Sequence, residues 1–360
     1  TDDVRASVHG DVLHSQPGIV NYGTGGGDTD VVVFYGGNDG MIHAVRGGRD
    51  AAGGGEELWS FVPPEFFDEL DALRSNAPVK HSFADGNVAA YVMDVDGDRV
   101  VEPADGDKVY VYATMRRGGR FLYAFDVTTP ASPRLLWKVD PTTPGFAELG
   151  QTWSDVRIGR LRGMADPVAI FGAGYDPAAE DADPAVGGDD SGSANSGRGM
   201  FVVNARTGEL LWQIGPDPDS SAASDFTVTE SGMQYSMPAG PTPIDRDRDG
   251  FLDRIYIPDT GGQVWRVDLI DSTASAGPDF GLWDHYKLAD VGANQEFQYA
   301  VDVVAAPATE LDEAFDAVLV GSGDREQPFS LTPTNRFYNV QGQPDSGPAP
   351  SGSDRPERPV

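Results

Sequence analysis

The chain contains no cysteine, and that single absence removes disulfides, thiolate metal sites and cysteine nucleophiles together. Lysine is scarce as well. The only four are Lys80, Lys108, Lys138 and Lys287, and 57 acidic residues against 26 basic ones leave a formal net charge of −31. A surface of that sign repels phosphate backbones, so nucleic acid is excluded as a partner. The charge otherwise reads as a solvated surface and names no partner beyond cations. No stretch approaches the roughly 18 consecutive apolar residues that span a bilayer, and no basic-then-apolar leader opens the chain. Because the chain opens on Thr1, the missing leader does not count against secretion. His9, His14, His43, His81 and His285 lack zinc-type spacing. No nucleophile elbow, P-loop or dinucleotide fingerprint follows a strand and opens a helix, so no catalytic residue and no enzyme activity is expected.

What is abundant is glycine and proline, 45 and 27 of 360 residues, a balance suited to many short strands joined by tight turns. An internal repeat gives those strands an order. Its copies are VVVFYGGNDGMIHAV (31–45) with ELWSFV (57–62), VYVYATMRRGGRFLYAFDV (109–127) with RLLWKV (134–139), and VAIFGAGYD (168–176) with GRGMFVVNARTGELLWQIG (197–215). RIYIPDTGGQVWRVDL (254–269) with LWDHYKL (282–288) and AVLVGSGDREQPF (317–329) with NRFYNV (335–340) complete it. Alternating apolar runs around Asn-Asp-Gly, Arg-Thr-Gly and Thr-Gly-Gly turns are hairpins, and radial repetition of such sheets is a β-propeller with quinoprotein-like repeats. The fold class is therefore all-β. Five repeats are directly legible, but a spacing of about 50 residues leaves room for six or seven blades, and seven is the expectation.

Trp59, Trp137, Trp212, Trp265 and Trp283 fall on the repeat's strands and are read as packing between blades. PPEFFDELDALRSN (63–76) opens on proline and spaces Phe67, Leu70 and Leu73 as a helix does, which predicts a short inserted helix. The insert 177–199 lacks large apolar residues and is expected to be an exposed, mobile loop dispensable for folding. Residues 1–340 are read as one propeller domain and 341–360 as a flexible acidic, proline-rich tail.

The sharpest chemical signal is DRDRDGFLD, residues 245–253. Asp245, Asp247, Asp249 and Asp253 occupy places one, three, five and nine of a calcium loop, Gly250 occupies place six, and Phe251 at place seven offers its carbonyl oxygen. Calcium takes six to eight hard oxygen donors, and carboxylates clustered without a cation repel one another. Place twelve is Tyr256, so the bidentate glutamate of a helical hand is missing and a strand-flanked variant is predicted. A second cluster in DVDGDRVVEPADGD (94–107) offers Asp94, Asp96, Asp98 and Glu102 at the same offsets, but its Gly97 comes early, and it ranks as a secondary metal candidate.

HGDVLHSQP (9–17), FYGGNDGMIHAV (34–45), GRFLYAFDVT (119–128), FGAGYD (171–176), GRGMFVVNARTGELLW (197–212), DRDRDGFLDRIYIPDTGGQVWRVDL (245–269) and GSGDREQPFSLTPTNRFYNV (321–340) together carry a family resemblance. The chain resembles the C-terminal propeller of the PilY family, the type IV pilus tip-associated adhesins and biogenesis factors. The resemblance implies a calcium ion held by Asp245, Asp247, Asp249, Asp253 and the carbonyl of Phe251. It also implies a role in pilus extension against retraction, surface adhesion and twitching motility. Pilins or minor pilins and a host or abiotic surface are the implied partners, with a monomeric chain outside the cell at the pilus tip or cell surface, or in the periplasm or outer membrane. Two alternatives stay open: a structural scaffold of the pilus machinery without calcium switching, and a pyrroloquinoline-quinone dehydrogenase-like propeller. The missing cysteines weigh against the alcohol-oxidising branch of the latter.

Overall fold

A computed structural model describes residues 10–23, 30–48, 53–75, 80–180, 195–218, 226–270, 277–306, 314–325, 329 and 334–342. Five sheets follow one another along the chain. The first holds β1 (Gly18–Asn21), β2 (Val31–Gly37), β3 (Met41–Arg46) and β4 (Glu57–Phe61); the second holds β5 (Val88–Met93), β6 (Lys108–Thr114), β7 (Leu122–Asp126) and β8 (Arg134–Val139). The third comprises β9 (Arg157–Gly159), β10 (Val168–Gly172), β11 (Met200–Asn204), β12 (Leu210–Gly215) and β13 (Thr227–Thr229). The fourth contains β14 (Thr242–Ile244), β15 (Arg254–Pro258), β16 (Gln263–Asp268) and β17 (Asp284–Asp290), and the fifth β18 (Asp302–Ala306), β19 (Phe315–Gly321) and β20 (Phe337–Gly342). Each strand pairs antiparallel with the next, except that β13 joins β12 in parallel.

The propeller architecture stands, with five sheets among the described residues where length suggested seven. The excess length lies in long connections between sheets, such as 140–156 and 291–301, which carry turns instead of additional blades. The repeats legible in the sequence correspond to the second and later strands of these sheets, while the first strands escaped notice. β14, for example, is Thr-Pro-Ile, and its proline is tolerated because the strand lies at a sheet edge.

Period-two alternation builds the core, since successive side chains on a strand face opposite neighbours. On β6, Val109, Val111 and Ala113 pack toward the first sheet, whereas Tyr110 and Tyr112 pack toward the third. On β10, Ala169 and Phe171 face the second sheet, and Val168 and Ile170 face the fourth. Ile255 and Ile257 on β15 face the third sheet, and Tyr256 between them faces the fifth. Each apolar cluster thus joins two consecutive sheets.

The tryptophans belong to these clusters. Trp59, Trp137 and Trp212 stand opposite Ala44, Ala124 and Val202, each followed by a shift in register. The indole N–H of Trp59 donates to the Pro130 carbonyl at 2.8 Å, and that of Trp137 to the Ala205 carbonyl at 3.0 Å, tying each sheet to a turn of the next. Trp283 is a buried core residue but immediately precedes β17 instead of lying on a strand.

The inserted helix forms as a 3-10 turn at Pro64–Phe66 and α1 at Leu70–Ser75. Its buried aromatic is Phe66, not Phe67, which is exposed, because the tighter turn rotates the face set by Leu70 and Leu73. In the insert 177–199, residues 177–180 form a short helix, α2 (Pro177–Glu180), and 181–194 lie outside the described residues. Its far end is anchored, contrary to the expectation of exposure: Asn195 and Ser196 donate backbone N–H groups to Asp176, and Arg198 grips Glu148 with two hydrogen bonds. The last strand reaches Gly342, and the tail from 343 lies outside the described residues.

Candidate metal centre

The loop 245–253 connects β14 to β15, and the stretch 94–107 connects β5 to β6. Both are therefore the link between first and second strand of a sheet, at equivalent places in the repeat. The structure brings the carboxylates of Asp245, Asp247 and Asp249 together, each offering an oxygen within 4.8 Å of the others, and does the same with Asp94, Asp96 and Asp98.

The two loops share a hydrogen-bond plan. The place-one carboxylate accepts from the N–H of place six, Gly250 to Asp245 at 2.7 Å and Arg99 to Asp94 at 2.8 Å. Place three accepts from place five, Asp249 to Asp247 at 3.1 Å and Asp98 to Asp96 at 3.2 Å. Place five accepts from place seven, Phe251 to Asp249 at 2.9 Å and Val100 to Asp98 at 2.7 Å. The N–H of place eight reaches the preceding sheet, Leu252 to the Arg160 carbonyl and Val101 to the Tyr22 carbonyl, each at 2.9 Å. Places four and six are left-handed in both loops, with Arg248 at φ 65° and Gly250 at 93° in one, and Gly97 at 79° and Arg99 at 69° in the other. The early glycine that demoted the second cluster therefore serves the same backbone, since either place needs a residue tolerant of positive φ.

Asp253 and Glu102, the place-nine candidates, are not in the convergent sets. Asp253 accepts from the Arg246 N–H at 2.5 Å and the Asp247 N–H at 3.4 Å, capping the loop's first turn. The corresponding cap on the other loop is Asp107, buried, which accepts from Val95 at 2.8 Å and from Glu102 itself at 2.9 Å. Sequence reasoning missed Asp107 because spacing alone does not separate one aspartate from its neighbours in so acidic a stretch.

Charge crowding is legible in the titration of these groups. The Asp98 N–H stabilises ionised Asp96, but desolvation and the charges of Asp98 and Asp94 outweigh it and raise the Asp96 pKa. Burial, joined by the charges of Asp247 and Asp245, raises that of Asp253. The Asp105 charge is the foremost cause of a raised pKa at Glu102. Asp249 is lowered, first by the Phe251 N–H and then by Arg162, which forms an ion pair with its Oδ2. The donor set is three hard carboxylates on an exposed loop with mutual repulsion to relieve, which fits calcium and disfavours softer metals.

The loop 245–253 is also clasped from both sides. Arg160 and Arg162, from the β9–β10 connection, lie 5.2 and 4.8 Å over the Phe251 ring. On the other side Arg246 reaches Asp316 of β19 at 3.3 Å, and that fully buried carboxylate also accepts from Arg254 at 2.5 Å and Tyr256 at 2.8 Å.

Known proteins resemble the chain in sequence and in fold. A family model described as the PilY1 beta-propeller domain matches residues 21–189. The type IV pilus biogenesis factor PilY1 of Pseudomonas aeruginosa (strain UCBPP-PA14) is 28% identical over 298 residues, covering 76% of this chain and 22% of the relative. These matches support a PilY-family protein. A homologue from Xylella fastidiosa (strain Temecula1) is 28% identical over 244 residues, 66% of this chain and 14% of that protein, so the chain spans only about a fifth or less of the curated relatives' length. The crystal structure of the P. aeruginosa PilY1 C-terminal domain superposes with a TM-score of 0.58 at 21% identity, covering 88% of this chain and 58% of that one, which supports the fold. The segment matched by the family model contains the loop 94–102, and 245–253 lies beyond it. No helix among the described residues is long and apolar enough to cross a membrane, which leaves strand-built spans unaddressed.

Proposed function

We propose that this chain is the calcium-binding propeller of a type IV pilus biogenesis factor, acting outside the cell at the pilus tip or cell surface. The reading joins the pilus-biogenesis role of its relatives to one observation: two strand-flanked loops on the same side of the repeat each converge three carboxylates. Asp245, Asp247 and Asp249 would hold one calcium ion, with the Phe251 carbonyl and water completing six to eight donors. Asp94, Asp96 and Asp98 would hold a second. Bound calcium neutralises the repulsion within each loop and fixes its shape, so loop order becomes a function of calcium concentration. Through that change the propeller would bias pilus extension against retraction and surface adhesion, with pilins or minor pilins as its contacts.

Calorimetric titration of the chain with calcium chloride tests the metal sites. Binding at millimolar calcium or below is expected, and it should disappear in D96A/D247A; a wild-type chain that takes up no calcium would end the reading. In cells, the same double substitution in the full-length protein should alter surface piliation and twitching. Unchanged calcium-dependent motility would leave the propeller the role of a scaffold.

A further inference from the structure

Arg162 stands on the one oxygen of Asp249 that the loop's own backbone leaves open. Asp249 Oδ1 accepts from the Phe251 N–H at 2.9 Å, while Oδ2 carries the Arg162 guanidinium. Arg162 belongs to the third sheet's β9–β10 connection, whereas Asp249 belongs to the fourth sheet, so the ion pair closes a seam between sheets. A guanidinium and a divalent cation cannot both occupy that oxygen without repelling each other at short range.

Resting on the calcium reading of the loop, we propose that Arg162 is a tethered counter-cation which calcium must displace from Asp249, so that it weakens binding at 245–249 and sets a calcium threshold distinct from that of 94–98. The release is local. Arg162 also lies over the Phe251 ring at 4.8 Å, and the Leu252 N–H to Arg160 carbonyl bond holds the two connections together independently of the side chain. Nothing equivalent guards the other loop: among the described residues Asp94, Asp96 and Asp98 have no ion pair, and at the corresponding seam Gly23 packs on the Arg99 carbonyl.

The test is calcium calorimetry on the wild-type chain, R162Q, D247A and R162Q/D247A. Arg162 is half-exposed, so glutamine is tolerated by the fold. Exposed ion pairs are weak, which predicts a Kd at this loop about two- to five-fold lower in R162Q. No difference should remain between D247A and R162Q/D247A. Equal or weaker binding by R162Q, or tightening that persists in the D247A background, would overturn the role of Arg162 while leaving the calcium site intact. A wild-type chain that binds no calcium would instead remove the site itself.

Discussion

The loops 94–102 and 245–253 have the same hydrogen-bond plan and the same left-handed places, yet they are embedded differently. The first is capped by Asp107, which immediately precedes β6 of the same sheet. The second is gripped by Arg162 from the third sheet and leans through Arg246 on Asp316 of the fifth. One loop thus touches its own sheet and the one before it, while the other sits at the junction of three. The difference teaches that a cation loop's chemistry is set by its short local pattern, but its consequences for the fold depend on which residues outside the pattern touch it.

Breaking the outer contact of the second loop should have the largest effect. Asp316→Asn takes one of two carboxylates from buried Arg254, whose other partner Asp268 remains at 3.2 Å, and weakens the hydrogen bonds from Tyr256 and Arg246. The loss is bounded by the about 3–5 kcal/mol of a wholly broken buried pair. Asp107→Asn keeps one acceptor and should cost about 1–3 kcal/mol. Urea denaturation at pH 7 measures both; a smaller loss for Asp316→Asn than for Asp107→Asn would contradict the contrast in embedding. Acid sharpens it. Burial opposes ionisation of Asp316, but hydrogen bonds from Tyr256 and Arg254 and the guanidinium charges hold its pKa below the usual value. A depressed folded pKa gives stability that is present above the unfolded value, about 3.8, and lost as pH falls through the folded one. The penalty of Asp316→Asn should therefore shrink on going from pH 5 to pH 2.5, and a penalty independent of pH would show that the ion pair is not its source.

Calcium should separate the loops next. Binding confined to the folded state stabilises it by RT ln(1 + [L]/Kd), about 2.7 kcal/mol per site at a hundredfold excess over Kd. Wild type should melt higher in calcium than in chelator, Asp96→Ala and Asp247→Ala should each retain part of that shift, and the double substitution should retain none. If either single substitution abolishes the whole shift, only one loop binds and the shared geometry does not imply shared chemistry.

Much of this was legible in the residues. Alternation in VYVYAT announced a strand with two buried faces, and Val111 and Tyr112 occupy opposite clusters accordingly. The aspartates at places one, three and five of each loop named the convergent sets. What stayed hidden depended on separation in sequence: Arg162 reaches Asp249 and Arg246 reaches Asp316 only after sheets stack side by side. The difference that the sequence suggested between the loops is not a difference of backbone. Place six is not the only bend: the backbone turns left-handed at places four and six, and each loop puts glycine at one and arginine at the other.

That exchange gives the smallest predicted effect and the most direct check on the shared backbone. At Gly97 and Gly250 an added Cβ would meet no atom within 4 Å, so alanine there costs backbone conformation alone, about 1–2 kcal/mol. Arg99 and Arg248 bear a strain of the same origin, and both are exposed. Replacing either with glycine should relieve it, although glycine's greater unfolded-state freedom returns about 0.5–1 kcal/mol of the gain. The net expectation is a rise of about 0.5–1 kcal/mol for Arg99→Gly and Arg248→Gly alike, read from urea midpoints in chelator so that metal binding does not contribute. Destabilisation by Arg99→Gly with stabilisation by Arg248→Gly would mean that place six of the first loop is not left-handed in solution, and the equivalence of the two loops would fall with it.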